Sequence, residues 1–338
     1  MIHSPLCLFT TQHAAWPWLR QTEDGRGNMP HARFILEPEQ RDPHWLAVFD
    51  EPPAVLMTHV PKERRVLFIT EPPEVKPYSP LFLRQFGTVI SPYPIRGVPS
   101  DNLLCENSCL PWHYAVDISC QDKVFSFTTL QDFRDMPVPI KTKQLSVICS
   151  TKAFTEVQKK RMAFVEKLQV RLGAQVDVFG RGRKPIDNKA EVIAPYRYHL
   201  VLENNYIDNF WTEKLSDAWL GYAFPLYLGA PNAPACFPEG GMLPLRPDAD
   251  SDNLDSIVRL LDADPWEARL SVLRQCREQV LTMNNVFVRL DRLMHEADAH
   301  VRNCPPLKRA EAIRGTGRWC TVLLRRAMHY GLYNPFSS

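Results

Sequence analysis

Several things are missing from this 338-residue sequence, and each absence narrows the field. No run is apolar for the roughly 20 residues that a bilayer-spanning helix needs, and residues 1–18 show no basic leader followed by a long apolar stretch. The expectation is a soluble, cytoplasmic protein. Lys plus Arg (40) exceed Asp plus Glu (38) by only two, so no global field draws the chain to nucleic acid and any basic site is local. The cysteines number nine, an odd count without a C-x-x-C pair or zinc-finger spacing, which reads as reduced thiols rather than a disulfide framework. Cys105, Cys109 and His113 lack a fourth metal ligand. No internal repeat or low-complexity tract is visible, which excludes solenoids and propellers.

What is present is the composition of a globular protein, 45% apolar and 23% charged, with a length suited to two domains. Thirty prolines, some paired as at Pro52-Pro53 and Pro72-Pro73, stiffen the loops of the N-terminal part. Short β-rich runs there predict strands at 46–49, 66–70 and 88–91. From residue 145 the texture becomes strand, helix, strand: an apolar run at 145–149, helical spacing over 155–172, then strands at 176–179, 199–202 and 224–228 with a helix at 213–221. This is an α/β pattern of βαβ units. Helices are predicted over 266–282 and 286–300, and 302–326 is a basic segment. The expected division is an N-terminal α/β domain (1–140), a linker near 136–143, a C-terminal Rossmann-like domain (145–300), and a basic helical segment (301–338).

The most informative stretch is 196–215, YRYHLVLENNYIDNFWTEKL. It resembles the C-terminal motif of family 10 glycosyltransferases, the α-1,3/α-1,4-fucosyltransferases: a strand, E-N-S, three variable positions, then D-Y-x-T-E-K. Glu203, Asn204, Thr212, Glu213 and Lys214 match, while Asn205, Asn209 and Phe210 replace the motif's Ser, Asp and Tyr. Ser150 and the Arg161-x-x-Phe164 helix, Val176-Asp-Val-Phe-Gly-Arg-Gly182, and Ala223-Phe-Pro-Leu-Tyr-Leu-Gly-Ala230 resemble three further family segments in order. The likeness covers about 145–250.

Elementary chemistry stands beside the resemblance. A sugar nucleotide departs as a diphosphate, and departure is favoured by cations and oriented N–H groups aimed at the growing charge. Thr212-Glu213-Lys214 opens a helix after a strand and a polar turn, which places a helix N-terminus and a Lys at one point. The resemblance implies that Arg161 reaches the same diphosphate; on the residues alone, with Lys159 and Lys160 beside it, the better reading is a solvated helix face. Glu213 is either a hydrogen-bond acceptor for ribose or fucose hydroxyls or a residue that stabilises the helix dipole. Glu203 and Asn204 end a strand at its carboxyl end, where open α/β sheets hold ligands. Arg181 lies in a glycine-flanked turn with a nucleotide role in view.

The acceptor hydroxyl loses a proton as it attacks, so a carboxylate base is expected in the N-terminal domain. Glu71 is the candidate and Glu74 the alternative; Glu71-Pro-Pro resembles the E-S-P or G-E-N element of the family. Trp112 and His113 form an aromatic cluster of the kind that stacks on acceptor sugars, or else a buried Trp with a satisfied His. The basic tail, with an amphipathic helix over 319–330, either lies on anionic lipid at the inner face of a membrane through 302–330 or packs on the protein.

The resemblance implies a GT-B arrangement of two Rossmann-like domains facing a cleft, GDP-fucose as donor, a glycan acceptor and inverting transfer. Asp248-Ala-Asp250 falls in a late acidic loop rather than where a catalytic metal would sit, so no obligatory metal or cofactor is expected. The rival readings are a transferase for another nucleotide sugar and a non-catalytic glycan or nucleotide binder.

Overall fold

The computed structural model describes residues 4–38, 42–118, 124–151, 155–301 and 305–316. They divide into two compact units. The first takes residues up to Ser108, 129–131 and those from Val286 onward; the second takes 109–128 and 132–285.

The first unit is built on six parallel strands: β1 (Leu6–Thr11), β2 (Arg33–Ile35), β3 (Trp45–Phe49), β4 (Arg65–Phe68), β5 (Thr88–Ser91) and β6 (Leu103–Cys105). Their order is β2-β1-β3-β4-β5-β6 and every neighbour pair is parallel. Strands covered on both faces are apolar throughout rather than alternating, as in Leu-Cys-Leu-Phe of β1 and Trp-Leu-Ala-Val-Phe of β3. One face packs Leu8, Val48, Leu67 and Ile69 against Phe82 and Ile313. Phe9, of opposite parity along β1, meets Trp18 and Phe287 with ring centroids 5.0 Å apart in each pair.

The second unit carries β7 (Lys143–Ile148), α1 (Glu156–Leu172), β8 (Val176–Phe179), β9 (Tyr196–Leu202), α2 (Glu213–Leu220), β10 (Phe224–Leu228), β11 (Leu243–Pro244), α3 (Asp250–Ala263) and α4 (Leu270–Thr282). The sheet order is β8-β7-β9-β10-β11, again all parallel. Helix α1 begins in a capping box, with Thr155 accepting from the Gln158 N–H and Gln158 returning the bond to the Thr155 N–H.

Both sheets therefore run second, first, third, fourth, fifth strand, the doubly wound order that places a switch point between the first and third strands. The switch point lies between β1 and β3 in one unit and between β7 and β9 in the other. Two Rossmann-like α/β units in one chain are the composition of the GT-B class.

Two expectations about organisation are corrected. The division falls at Ser108 and Val286 rather than near 140 and 300. Residues 109–128 go with the second unit because Trp112 donates to the Asn284 carbonyl (3.3 Å) and meets Phe133 edge-on; the helix Val286–Val301 goes with the first because Phe287 packs on Phe9 and Phe34. Within the basic C-terminal segment, Glu311–Ile313 forms a strand, not a helix, antiparallel to Leu56–Thr58. Ile313 is fully buried and Glu311 binds Arg65 at 2.6 Å, so tertiary burial sets its conformation. The helix expected over 319–330 lies outside the described residues.

Candidate active site

At the second unit's switch point, β9 ends at Leu202, Glu203 and Asn204 follow directly, and the chain turns through 205–211 into α2. Glu203 is fully buried. Its Oε1 accepts the Thr212 N–H at 2.7 Å, Oε2 lies 2.8 Å from the Thr212 hydroxyl, and the Lys214 ammonium donates to Oε2 at 3.3 Å. Lys214 Nζ also reaches Thr212 Oγ1 at 3.0 Å. The strand end and the helix start are thus joined through one carboxylate. Gly229 gives that carboxylate its space: a Cβ there would stand 2.6 Å from Glu203 Cγ and 2.3 Å from the Tyr227 hydroxyl. The glycine that closes the Ala223–Ala230 segment has this steric purpose.

The next residue, Asn204, accepts a hydrogen bond from the Arg161 guanidinium, which reaches over from α1. Arg161 and Lys214, fifty-three positions apart, are therefore held by two adjacent residues of one strand end. Arg161 Nε is buried and has no hydrogen-bond partner. A guanidinium N–H buried without an acceptor is costly, and an anionic oxygen beside it would satisfy it; Arg183 Nε in the same unit is also buried without a partner.

Glu213 is first in α2 and its side chain is 10% exposed. Lys189 Nζ lies 3.2 Å from it and 2.9 Å from Asp217, one turn further along α2. Asp217 Oδ1 in turn accepts the backbone N–H groups of His113 and Tyr114, both at 2.9 Å. Burial alone would raise the Glu213 pKa, but Lys214 and Lys189 outweigh it and hold the carboxyl well below the usual range. Lys189, whose charge burial opposes, is pushed up by Asp217 and Glu213. Glu213 is thus a permanent anion, suited to accept hydrogen bonds and unsuited to take up a proton near neutrality. His113 Nδ1 stands 3.9 Å from Glu213, and burial lowers its pKa to about 4 against the pull of that carboxylate, so the ring is neutral at pH 7.

The remaining expected residues fall as follows. Arg181 is exposed in the turn after β8, where its carbonyl accepts the Thr151 N–H at 3.0 Å. Gly180 and Gly182 have φ of +125° and +78°; a Cβ on Gly180 would fall 2.9 Å from the Cys149 carbonyl, and one on Gly182 would fall 2.1 Å from Thr151 Oγ1. Trp112 has no exposed surface and its indole N–H is bonded, so it offers no face for stacking on a sugar; His113 belongs with the donor-side unit. Asn209 takes a left-handed φ of +61°, which Asn tolerates, and exchanges hydrogen bonds of 2.8 Å with Asn232. Phe210, where the motif has Tyr, is buried. Glu71 lies just beyond β4 in the first unit, half-buried, and Glu74 is exposed. Among the described residues no cluster of three His, Cys, Asp or Glu could hold a metal ion, and no helix is long and apolar enough to cross a membrane.

Sequence reasoning missed Lys189, Asp217 and Gly229. The glycine lay inside a matched segment, but Lys189 carries no local signal, since its partners are 24 and 28 residues away.

Comparison with known proteins bears on the same stretch. Residues 138–266 match the glycosyltransferase family 10 (fucosyltransferase) C-terminal domain. No curated protein matches the chain. Among solved structures, an α1,3-fucosyltransferase with GDP is similar over 90% of this chain and 93% of its own, at 15% identity and a TM-score of 0.47. The same type of enzyme with GDP-fucose gives 16% identity over 80% and 83%, with a TM-score of 0.47. TarM gives 9% identity over 74% and 54%, with a TM-score of 0.46. That sequence match contains β7 to β11 together with Arg161, Glu203, Asn204 and Lys214. What this chain is similar to, over those residues, is the C-terminal domain of glycosyltransferase family 10, the fucosyltransferases.

Proposed function

We propose that the chain transfers L-fucose from GDP-fucose to a hydroxyl of a glycan acceptor, in a single inverting displacement. The observation that supports this most directly is the meeting of Arg161 and Lys214 at Glu203-Asn204, with one buried guanidinium N–H unpartnered. In this reading the bond between the fucose anomeric carbon and the β-phosphate oxygen breaks as the acceptor oxygen attacks from the opposite face. The charge gathering on GDP is met by the Arg161 guanidinium, the Lys214 ammonium and the first N–H groups of α2. Glu213 and Asn204 accept and donate hydrogen bonds to the donor's hydroxyls, and Arg181 closes the nucleotide side. The proton leaving the acceptor goes to Glu71, with Glu74 as the alternative base.

The acceptor class in view is N-acetylglucosamine or glucose within a surface polysaccharide or lipopolysaccharide, joined in α-1,3 linkage. The basic stretch 302–330 would bring the enzyme to the inner face of the membrane, where such acceptors are lipid-linked; unchanged liposome flotation on replacing Arg318, Arg325 and Arg326 removes that part.

The test is GDP release from GDP-fucose across an array of galactose- and N-acetylglucosamine-containing acceptors, with a panel of other nucleotide sugars in parallel. Acceptor-dependent release from GDP-fucose that Lys214→Ala abolishes supports the proposal. Turnover with a different nucleotide sugar alone, or none with any, overturns it.

A further inference from the structure

The first unit's switch point is filled by its own charged side chains. Asp50, directly after β3, is bound from three sides: Gln12, directly after β1, donates to Oδ2 at 2.6 Å, Lys76 donates to Oδ1 at 2.7 Å, and the Tyr78 hydroxyl donates to the same Oδ1. The side chains of Asp50 and Lys76 are 5% and 8% exposed. A buried ion pair gains little net stability over apolar residues of the same volume, so its presence asks for another reason. The backbone adds to the cost. Asp50 has a φ of +69°, with the Glu51 N–H bonded back to the Phe49 carbonyl at 3.0 Å, a γ-turn geometry that is strained for any residue with a side chain.

What this arrangement grips is the neighbouring strand end. The Tyr78 hydroxyl, while donating to Asp50, accepts the Thr70 N–H at 3.3 Å. One residue on, the Tyr93 hydroxyl donates to the Glu71 carbonyl at 2.8 Å. The Ile69–Thr70 peptide before this two-residue stretch and the Glu71–Pro72 peptide after it are thus each held by a phenol, and one of the phenols is oriented by Asp50. Burial, then the charges of Asp50 and Glu71, push the Tyr78 hydroxyl well above its ordinary value, so it stays protonated and keeps donating.

We propose that Asp50 is a positioning residue for the transfer reaction: with Lys76 it fixes the Tyr78 hydroxyl, which holds the Thr70–Glu71 backbone and so aims the Glu71 carboxylate at the acceptor. The proposal rests on the reading of Glu71 as base. A base displaced by about 1 Å loses on the order of a hundredfold in rate, which is reason enough to carry strain and a buried charge behind it.

The experiment compares Tyr78→Phe, Asp50→Asn and Glu71→Gln in the full chain. Three quantities are read: amide exchange at Thr70, kcat for GDP release from GDP-fucose with water and with the acceptor array, and KM for GDP-fucose. Tyr78→Phe and Asp50→Asn are expected to speed Thr70 exchange at least about tenfold and to lower kcat about tenfold, with KM for GDP-fucose within about twofold. Their effects combine less than additively, as members of one chain. Unchanged Thr70 exchange in Tyr78→Phe overturns the brace whatever the rates, and that variant keeps the ring should Asp50→Asn lose its cooperative melt. Faster exchange with unchanged kcat overturns the catalytic meaning of the brace. Glu71→Gln separates the two claims: if it turns over like the parent, the base reading fails and takes the proposal with it; if it is inactive while the other two are normal, the brace alone fails.

Discussion

The two sheets share one strand order, yet their switch points carry opposite chemistry. In the second unit the crevice between β7 and β9 holds cations in contact with it: Lys214 on Glu203, Arg161 on Asn204 with an N–H left over. In the first unit the corresponding place between β1 and β3 is satisfied internally, its carboxylate engaged by Gln12, Lys76 and Tyr78. Topology alone would nominate both as ligand sites. The charge at each strand end separates them: at Glu203-Asn204 two cations converge on one carboxylate and one amide, whereas at Asp50 a carboxylate is already engaged by a cation, an amide and a phenol.

The sharpest way to break this comparison is to remove a cation that is purely internal. Lys189→Ala leaves the fully buried Asp217 without its counter-charge and Glu213 with Lys214 alone, and a loss of about 3–5 kcal/mol in urea unfolding is expected. A loss under about 1 kcal/mol would mean that Lys189 faces a ligand rather than the protein. Lys214→Ala should act on turnover as well, lowering kcat about 10²–10³-fold, roughly 3–4 kcal/mol, and it should also lower the unfolding midpoint because it strips the fully buried Glu203 of its counter-charge. Arg161→Lys sharpens the point further. A planar fork serves two oxygens and an ammonium does not, so a drop of about tenfold or more in kcat/KM for the donor is expected although the charge is kept.

The pH profile tests burial rather than charge. Burial lowers His199 to about 3 and His113 to about 4, against an ordinary 6.5. Below pH 6.5 the unfolded chain takes up protons that the folded one refuses, so stability is full above that value and falls as acid is added towards pH 4. Each histidine should cost about 2 kcal/mol between pH 6.5 and 4.5, and His199→Gln should flatten its share of the slope. The smallest effect belongs to the surface: Lys143 and Asp177 are 2.8 Å apart with both side chains nearly half exposed, and Asp177→Asn should cost under about 1 kcal/mol.

How much of this could be read from the residues follows from range. The second unit was legible because its signals are local: apolar runs gave β7 to β10, and Val157, Phe164, Val165 and Leu168 at helical spacing gave α1. Glu203, Asn204, Thr212 and Lys214 were visible as a motif, and the structure brings them together with Arg161. In the first unit β3, β4 and β5 were foreseen while β1, β2 and β6 were not, since three-residue strands and doubly covered strands lack the alternation that marks an exposed face. Trp112-His113 shows the limit from the other side: an aromatic cluster reads the same whether it faces a sugar or the core, and burial decided it.

The small strand Glu311–Ile313 bears on how the basic C-terminal stretch can be studied at all. Deleting everything beyond residue 304 would pull Ile313 from the interior, strip Arg65 of its acidic partner and remove the Thr316 N–H from Glu51. A shortened protein that failed to float with liposomes would then report a damaged sheet edge rather than a missing lipid contact. A cut placed after Thr316 keeps these anchors and lets the remaining basic residues be judged on their own.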